Sequence, residues 1–427
     1  MIQAQYAGDV SPQELFIRDM SVDQQVEKDV SAIINAVIRN RDHALYHFTK
    51  QFDGATLQSL TVTEEEWNNA LKKVSLSFLN ILEDAFHNIW SFHRHQQTSS
   101  FSITERPGIV LGQKTLPLQK VGIYVPSGTA SYPSTVLMNA IPAKIAGVPH
   151  IYMTTPPQED GSISPEILAA AKIAGIEQVF KIGGAQAIAA LAYGTESIPQ
   201  VDKIVGPGNA YVAAAKRAVF GKVDIDMVAG PSEILILADN DANPAFLAAD
   251  MLSQAEHDRF ASSILLTTST SVAEQTAKAL ETQLNHLKRR EIAQAAIENQ
   301  SKILIIDSLE EGIALANQIA PEHLELAIKE PFALLGVVQN AGSIFLGYHT
   351  PEPLGDYFAG PNHTLPTGGR ARFSSPLGVQ DFVKRSSFLY YDKTALAQVK
   401  ERVEEFANTE GLTAHAASIA IRFEEEK

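Results

Sequence analysis

The run that decides the fold is 121–155, VGIYVPSGTASYPSTVLMNAIPAKIAGVPHIYMTT, in which two short β-rich segments flank an alanine-containing one. VGIYV and IYMTT are runs of β-branched and aromatic residues typical of buried strands, and 134–147 between them has the composition of a helix. The alternation continues through QVFKI and DKIV, each followed by a further helical stretch. Strands that alternate with helices predict a parallel sheet with crossover helices, and therefore an α/β unit.

A second series of strands follows, separated by helical segments at 244–257, 271–298 and 308–319. The strands are predicted from four apolar runs: EILILA (233–238), ILLTT (264–268), KILIID (302–307) and SIFLG (343–347). Two α/β units are therefore expected, with turn residues at 126–128 and 230–231 marking the boundaries. Three-to-four spacing of apolar residues predicts helices in most of the first hundred residues, and the last fifty are also expected to be helical.

Composition restricts the possible partners. The 427 residues include 34 Lys+Arg and 49 Asp+Glu, a net charge of −15, which argues against nucleic acid and against a polybasic membrane anchor. Asp9, Glu14, Arg18 and Asp19 interrupt the N-terminal region before it resembles a secretory signal, and no run approaches the roughly 20 apolar residues of a membrane-spanning helix. We therefore expect a cytoplasmic protein with small-molecule or protein partners, without a nucleic-acid or membrane partner.

The chain contains no cysteine. Disulfides, iron–sulfur clusters, thiolate zinc sites and every mechanism with a cysteine nucleophile are thereby excluded. Any metal ion must be bound by histidine, carboxylate or amide side chains.

A predicted helix carries the first group of candidate residues. Asn243 and Pro244 are typical of a helix start, and further along the helix Asp250, Gln254 and His257 are spaced by four and then three residues, which places them on one face. Gln254 and His257 can therefore reach one point. An amide beside an imidazole is weak evidence for a metal site, and a solvated polar face explains the same pattern.

The second candidate is the adjacent pair Glu322 and His323 in the run APEHLEL. On a turn both side chains can line one cavity, where a carboxylate and an imidazole would transfer protons near neutral pH. Without further context, a pair of ordinary surface residues is the alternative.

Two later segments also contain candidate residues. The segment 348–378 is rich in proline and glycine and long for a loop, yet it contains Asp356 and His363, which favours a functional loop over an ordinary turn-rich one. Near the C-terminus Glu410 and His415 lie five residues apart, a spacing that by itself indicates only a helix end.

Two strand-to-helix turns could bind an anion. GGAQ (183–186) follows QVFKI, and GPGN (206–209) follows DKIV, so each turn places backbone N–H groups at a helix N-terminus. Neither a GxGxxG fingerprint nor a GxxxxGK[ST] phosphate loop is present, and either turn is equally well explained as a tight connection.

Together these runs resemble the histidinol dehydrogenase family, over nearly the whole chain and most weakly before about residue 22. The resemblance rests on an ordered series of motifs: VGIYVPSG, FKIGGAQAIAALAYGT, IVGPGNAYVAAAK, MVAGPSEILILAD, LSQAEHD, PEHLEL, the loop 355–378 and EGLTAHA. It implies two incomplete Rossmann-like domains, one inserted in the other, with small helical N- and C-terminal extensions and a homodimer that exchanges its C-terminal segment. The implied parts are an N-terminal extension (1–21), a first, metal-binding domain (22–125 and 231–378), a second domain on the NAD side (126–230) and a C-terminal dimerisation extension (379–427).

The resemblance also implies an activity and a set of site residues. The family oxidises L-histidinol through L-histidinal to L-histidine with two NAD and water, the last step of histidine biosynthesis, and carries one Zn²⁺ per subunit. The implied zinc ligands are Gln254, His257, Asp356 and His415, and the implied bases are Glu322 and His323. The implied NAD contacts are Tyr124, Gln186 and Asn209. The implied substrate contacts are Ser232, Gln254, His257, His323, Asp356, His363, Glu410 and His415, with Glu410 and His415 serving the partner's site.

The residues limit how this chemistry can proceed. Without a cysteine the aldehyde cannot be held as a thiohemiacetal, so it must be hydrated before the second oxidation. We predict that His323 takes the alcohol proton and that Glu322 helps to activate water, while zinc mainly positions the substrate. The rival interpretations are a zinc-dependent hydrolase without nucleotide that uses Glu322 as base, and a non-enzymatic nucleotide-binding or assembly protein with structural zinc.

Overall fold

The computed structural model describes residues 2–10, 24–127 and 131–424. They form two compact units, Met1–Gln96 with Leu118–Phe382, and Gln97–Pro117 with Val383–Lys427. Most of the predicted N-terminal extension (1–21) and part of the predicted boundary at 126–128 lie outside the described residues. Within the described residues, no helix is long and apolar enough to cross a membrane.

Strands and helices alternate along most of the described chain. The strands are β1 (Ala4–Tyr6), β2 (Phe101–Ile103), β3 (Ile109–Pro117), β4 (Lys120–Tyr124), β5 (His150–Thr155), β6 (Gln178–Lys181), β7 (Lys203–Val205), β8 (Asp224–Ile225), β9 (Glu233–Ala238), β10 (Ser262–Thr267), β11 (Lys302–Ile305), β12 (His323–Ala327), β13 (Ser343–Leu346) and β14 (Val383–Tyr391). The helices are α1 (Gln24–Asp53), α2 (Glu64–Leu71), α3 (Leu76–His93), α4 (Pro133–Ala146), α5 (Pro165–Ile173), α6 (Gly184–Tyr193), α7 (Ala210–Val219), α8 (Pro244–Ala255), α9 (Thr270–Leu284), α10 (Arg290–Gln300), α11 (Leu309–Ile319), α12 (Pro331–Leu335), α13 (Glu352–Tyr357), α14 (Lys393–Thr409) and α15 (Thr413–Ala420).

The first unit contains a five-stranded parallel sheet in the order β6-β5-β4-β7-β8. Helices α4 to α7 connect its strands, and the alanines of α6 are fully buried among them. Small side chains let these helices approach the sheet closely, while Val121 and Ile123 of the central strand fill its core. The predicted parallel sheet with crossover helices is therefore confirmed.

Parts of the segment 22–125, which the resemblance assigns to the metal-binding domain, pack with the five-stranded sheet. β4 pairs with β5 and β7 and so belongs to the five-stranded sheet. Helix α1 buries Val37 and Leu45 in the same core as Phe180 of β6. A helical pattern in a sequence shows that one face is buried, but it does not show which sheet that face covers.

The second sheet of this unit has six parallel strands in the order β1-β11-β10-β9-β12-β13. β1 comes from the N-terminus and the other strands from residues after 232, so the chain builds the five-stranded sheet between them. β9 and β12 are buried along their whole lengths, which is why β9 is apolar from Ile234 to Ala238. Both strands also bury ionisable side chains, namely Glu233 at the start of β9 and His323 and Glu325 in β12.

The second unit is an antiparallel sheet, β14-β3-β2, with helices α14 and α15. β14 pairs with β3 along nine residues. The expectation of helix throughout the last fifty residues is therefore wrong for 383–391. The run VKRSSFLYY has the β-branched and aromatic residues of a strand, but its pairing partner lies some 270 residues earlier, beyond the reach of a local pattern.

Candidate active site

The reactive side chains of the first unit gather at the amino ends of β9 and β12. α11 ends at Ile319, and a left-handed residue, Ala320 (φ 51°), turns the chain through Pro321 into β12. His323 is level with Ile234 in the parallel register, so Glu322 and Glu233 lie at the starts of neighbouring strands. Because of this turn, the side chains of the adjacent residues Glu322 and His323 lie in one buried site.

His323 is held in one tautomer by the backbone. Its Nδ1 lies 2.9 Å from the carbonyl oxygen of Glu233, and because a carbonyl can only accept, Nδ1 carries the hydrogen. The other nitrogen, Nε2, is 3.7 Å from Glu352 Oε1 and 3.9 Å from Asp356 Oδ1, and it is buried without a hydrogen-bond partner. Burial lowers the pKa of His323, against the opposing charge of Asp356. The neutral ring therefore presents a free lone pair on Nε2, as a general base requires.

Glu322 lies beside the imidazole. Its Oε2 accepts a hydrogen bond from the Glu233 N–H at 2.9 Å and is 3.6 Å from His323 Nδ1. Burial, together with the negative charges of Glu233 and Asp356, raises the pKa of Glu322 well above its usual value. A carboxyl group with a raised pKa is a stronger base once deprotonated, which suits proton transfer near neutral pH.

Two further carboxylates come from the short helix α13. Glu352 and Asp356 are four residues apart and face the same way, and the Glu352 N–H donates to Glu325 Oε1 at 2.8 Å. Burial and the neighbouring Asp356 raise the pKa of Glu352 to about 10. His323, Glu352 and Asp356 offer ligand atoms within 4.8 Å of one another, the single group of three or more such side chains found in residues 2–10, 24–127 and 131–424.

Gln254 lies on α8, and His257 follows two residues after the end of that helix at Ala255. Gln254 is 1% exposed, and its Oε1 has no hydrogen-bond partner. Burial lowers the pKa values of His323 and His363, and the neighbouring His257 adds to this lowering, yet His257 is not a member of the three-residue group. His363 Nδ1 lies 3.0 Å from the Asp356 carbonyl oxygen, which fixes the long loop beside α13.

The donor set is suited to a metal ion. Among the buried side-chain atoms without a hydrogen-bond partner are three from this region: Gln254 Oε1, His323 Nε2 and Glu352 Oε1. Because an unsatisfied buried polar atom is costly, such atoms indicate a missing ligand. Nitrogen and oxygen donors without thiolate are a set that Zn²⁺ accepts.

The remaining predicted substrate contacts are Ser232, Glu410 and His415. Ser232 precedes β9 and accepts the Ser262 N–H through its backbone oxygen at 3.0 Å. Glu410 and His415 belong to the second unit, where Glu410 caps the end of α14, His415 lies in α15, and both are exposed. Their part in the site stays a prediction.

The three predicted cofactor contacts lie at the carboxyl ends of β4, β6 and β7. Tyr124 Oη accepts the Gly184 N–H at 3.2 Å, and burial raises the pKa of Tyr124 to about 12. Gln186 is 1% exposed with its Oε1 unpartnered, and Asn209 caps α7 by accepting the Val212 N–H at 3.1 Å. The carboxyl ends of parallel strands meet at one edge of a sheet, which places these side chains together; their role toward NAD stays a prediction.

Sequence reasoning missed several carboxylates of the site. Glu233 supplies both backbone groups that hold Glu322 and His323, and Glu352 faces His323 directly. Glu325 supports α13 and also forms a side-chain hydrogen bond with Asp250. Glu233 and Glu325 could have been found from the sequence, because each is an acidic residue in an otherwise apolar strand, where a charge is unusual.

The fold and the site together define a Rossmann-like α/β protein with parallel sheets and a buried acid–base cluster able to bind a metal ion. Comparison with known proteins makes this class specific. The family model described as histidinol dehydrogenase matches residues 17–423. The chain is 56% identical over 402 residues to the histidinol dehydrogenase of Listeria monocytogenes serovar 1/2a, covering 94% of each protein. It is 55% identical over 406 residues to that of Bacillus cereus, covering 95% of this chain and 94% of the relative.

A solved structure agrees with these relatives. The crystal structure of histidinol dehydrogenase from Elizabethkingia anophelis superposes with a TM-score of 0.93 at 39% identity, covering 99% of this chain and 98% of that one. The chain belongs to the histidinol dehydrogenase family.

Proposed function

We propose that the chain catalyses the NAD⁺-dependent four-electron oxidation of L-histidinol to L-histidine through L-histidinal, with one Zn²⁺ per subunit. As a member of its family it is an oxidoreductase that oxidises histidinol in histidine biosynthesis. The observation that carries the proposal is the geometry of His323, whose free Nε2 faces Glu352 and Asp356 in a buried site. A cytoplasmic location is part of the same proposal, because the reaction draws on the NAD⁺ pool of the cell interior.

In the first oxidation His323 acts on the alcohol. Its Nδ1–H is fixed to the Glu233 carbonyl, so Nε2 is the atom that takes the hydroxyl proton as the carbon loses a hydride. The bound nicotinamide supplies the hydride acceptor in both oxidations. Asp356 lies 3.9 Å from Nε2 and stabilises the imidazolium that forms.

In the second oxidation Glu322 acts on water. Its carboxylate takes a proton from a water molecule as the oxygen adds to the aldehyde carbon. The His323 imidazolium formed in the first oxidation returns its proton to the aldehyde oxygen, which gives the hydrated aldehyde and frees Nε2 again. The hydrate then loses its second hydride, with His323 again accepting a hydroxyl proton, and the product is the carboxylic acid. Glu322 Oε2 lies 3.6 Å from Nδ1 of the same imidazole, so the two proposed bases are neighbours in one buried site.

The zinc ligands in this proposal are Gln254, His257, Asp356 and the partner's His415. A bound Zn²⁺ would hold the imidazole and amine of the substrate and so place its reacting carbon. The unpartnered Gln254 Oε1 in a fully buried position supports this assignment. Ser232, His363 and Glu410 complete the substrate contacts, and Tyr124, Gln186 and Asn209 are the proposed NAD⁺ contacts.

A homodimer that exchanges its C-terminal segments is part of the proposal. The second unit exposes large apolar side chains on β14 and α14: Leu389 is 73% exposed, Tyr390 57% and Phe406 69%. Contiguous exposed apolar residues are typical of protein–protein interfaces. Glu410 and His415 follow on the same unit, which is consistent with their acting in a partner's site.

The stoichiometry of NADH formation tests the overall reaction. With limiting L-histidinol and excess NAD⁺, the expected yield is two NADH per substrate, measured by absorbance at completion. One NADH per substrate would reject the four-electron scheme. Consumption of substrate without NADH would instead favour the nucleotide-independent hydrolase.

Mixed dimers test the subunit exchange. Chains with His257→Ala and chains with His415→Ala are each expected to be inactive. After mixing and subunit exchange, some activity should return, because a heterodimer then contains one site with all its ligands. If no activity returns while mass measurements show that heterodimers have formed, each site is built from one chain.

A further inference from the structure

A buried ion pair lies directly behind the turn GPGN (206–209). Lys216 on α7 pairs with Asp226, which follows β8, and their side chains are only 2% and 1% exposed. Neither residue belongs to the acid–base cluster or to the proposed cofactor contacts. The position of the pair beside the turn calls for an explanation, because two charges are removed from water at considerable cost.

The pair holds both polar backbone atoms of Gly206. Asp226 Oδ2 accepts the Gly206 N–H at 2.8 Å, and Lys216 Nζ donates to the Gly206 carbonyl oxygen at 2.9 Å. Asp226 Oδ1 also accepts the N–H of Met227 at 2.6 Å, which fixes the carboxylate itself. Gly206 is therefore bound from both sides by side chains that are bound to each other.

The same contacts extend to the helix that follows the turn. Gly206 has φ 112°, and a Cβ at this position would overlap the carbonyl oxygen of Tyr124 at the end of β4. Three residues later Asn209 caps α7, the helix that carries Lys216. The strand end, the turn, the helix cap and the ion pair thus form a closed set of contacts made entirely by the protein.

We propose that Lys216 and Asp226 are positioning residues for NAD⁺: they preset the turn 206–209, and with it Asn209, before the cofactor binds. This inference rests on the proposed function, which assigns the turn to NAD⁺. Lys216 does not contact the phosphates, because it is buried and its charge is already paired with Asp226. A turn that is fixed beforehand binds without the entropic cost of ordering a loop.

A purely structural role makes a different prediction. Replacing a buried ion pair by apolar residues is often neutral for stability, so a pair kept only for folding would be replaceable without change in cofactor binding. A positioning role predicts that KM for NAD⁺ rises while kcat at saturating NAD⁺ is kept. Measuring KM for NAD⁺ and kcat separately therefore distinguishes the two roles.

The experiment uses the full-length, metal-loaded protein. In Lys216→Met/Asp226→Leu, both side-chain contacts to Gly206 are lost and no buried charge remains unpaired. The Kd for NAD⁺ by calorimetry, and KM for NAD⁺, are expected to rise about tenfold or more, because the turn must then be ordered when the cofactor binds. Lys216→Met/Asp226→Asn keeps an acceptor for the Gly206 N–H, so a smaller rise is expected.

Lys203→Met is the matched control. Lys203 is also buried and paired, 3.0 Å from Asp224, but it lies at the amino end of β7, opposite the turn. Its Kd for NAD⁺ is expected to match that of the wild type. A folded Lys216→Met/Asp226→Leu protein that binds NAD⁺ as tightly as the wild type would overturn the inference.

The wild-type protein provides a second test that does not depend on folding of a variant. The Gly206 amide should be protected from hydrogen exchange without NAD⁺, and adding NAD⁺ should not change its protection. Protection that appears only with NAD⁺ would show that the cofactor, and not the ion pair, orders the turn. A wild-type protein that binds no NAD⁺ would overturn the proposed function as well as this inference.

Discussion

The two parallel sheets of the first unit carry their candidate residues at opposite ends of their strands. In the five-stranded sheet, GGAQ and GPGN follow β6 and β7, at the carboxyl ends where open parallel sheets usually bind ligands. In the six-stranded sheet, Glu322 and His323 lie at the amino end of β12. At the carboxyl end of β9, Asp239 is occupied by a hydrogen bond from the Tyr348 hydroxyl. Strand direction therefore locates the cofactor turns but not the acid–base cluster.

The two ends also differ in how their polar groups are satisfied. Behind GPGN, the charges of Lys216 and Asp226 pair with each other and with the backbone. In the acid–base cluster, His323 Nε2 and Glu352 Oε1 are buried without hydrogen-bond partners. The ion pair and the turn GPGN that it holds are satisfied by the protein alone, although Gln186 Oε1 on the neighbouring turn GGAQ has no partner. The acid–base cluster has the unsatisfied atoms expected of a site that binds a ligand.

The largest expected effect concerns His323, the proposed general base at the amino end of β12. His323→Gln removes the lone pair of Nε2, so kcat is expected to fall by about 10² to 10⁴ while the Kd for NAD⁺ is unchanged. Steady-state NADH formation and calorimetry measure the two quantities. His93→Gln is the control, because His93 is equally buried and likewise held through Nδ1, 2.9 Å from the Ile89 carbonyl oxygen. Equal losses in the two variants would count against a catalytic His323.

The next prediction compares the two ends of the six-stranded sheet. Asp356→Ala should weaken Zn²⁺ binding by about 10²-fold or more, since loss even of a group that only supports a ligand weakens it by about 10 to 10². Metal content after dialysis against graded chelator measures the change. Asp239→Ala, at the carboxyl end of β9, should retain the metal. Retention of zinc in Asp356→Ala would remove Asp356 from the proposed ligand set.

A third prediction concerns the fixed turn of the five-stranded sheet. Gly206→Ala should lower the free energy of unfolding by about 1 to 3 kcal/mol, because the methyl group meets the Tyr124 carbonyl and the left-handed φ is strained. Gly221→Ala has a similar φ of 95° but open space around it, so it reports the backbone strain alone. The free energy of unfolding of both variants is measured with urea, and the difference between their losses gives the steric contribution at Gly206. If Gly206→Ala and Gly221→Ala lower the free energy of unfolding equally, the turn does not pack tightly on β4.

The smallest expected effect is a pH dependence near Tyr124. Burial raises the pKa of Asp53 from 3.8 to about 6, so the folded protein holds this proton more tightly than the unfolded chain. The contribution of Asp53 to stability is therefore full below its unfolded pKa and is lost as pH rises through 6. Asp53→Asn removes this loss, so its Tm relative to the wild type should be higher at pH 8 than at pH 4. A Tm difference between Asp53→Asn and the wild type that is the same at pH 4 and pH 8 would contradict the raised pKa of Asp53.

Much of the fold could be predicted because the evidence for it is local. EILILA is β9 residue for residue, and α8 begins at Pro244 with the Asn243 cap that the sequence indicates. The pairing of β3 with β14 and the place of β4 in the five-stranded sheet could not be predicted in this way, since they depend on contacts between distant segments. The helix 271–298 was expected as one element but is interrupted between α9 and α10.

The candidate site was predictable where a motif was recognisable. Glu322, His323, Asp356 and His363 were named from their runs, and the structure brings these four together. Glu352 was not named, because its i, i+4 relation to Asp356 becomes meaningful only once the short helix α13 is known. Tautomer and burial, which decide how His323 can act, have no signal in a sequence.

The long pairing of β14 with β3 bears on how the chain tolerates shortening. A polypeptide that stopped after Phe382 would lose the outer partner of β3 and leave nine residues with open backbone groups along one side. Uncovered strands of this length recruit other chains. The C-terminal region is thus no detachable appendage, and trimming it should lead to aggregation instead of a smaller folded enzyme.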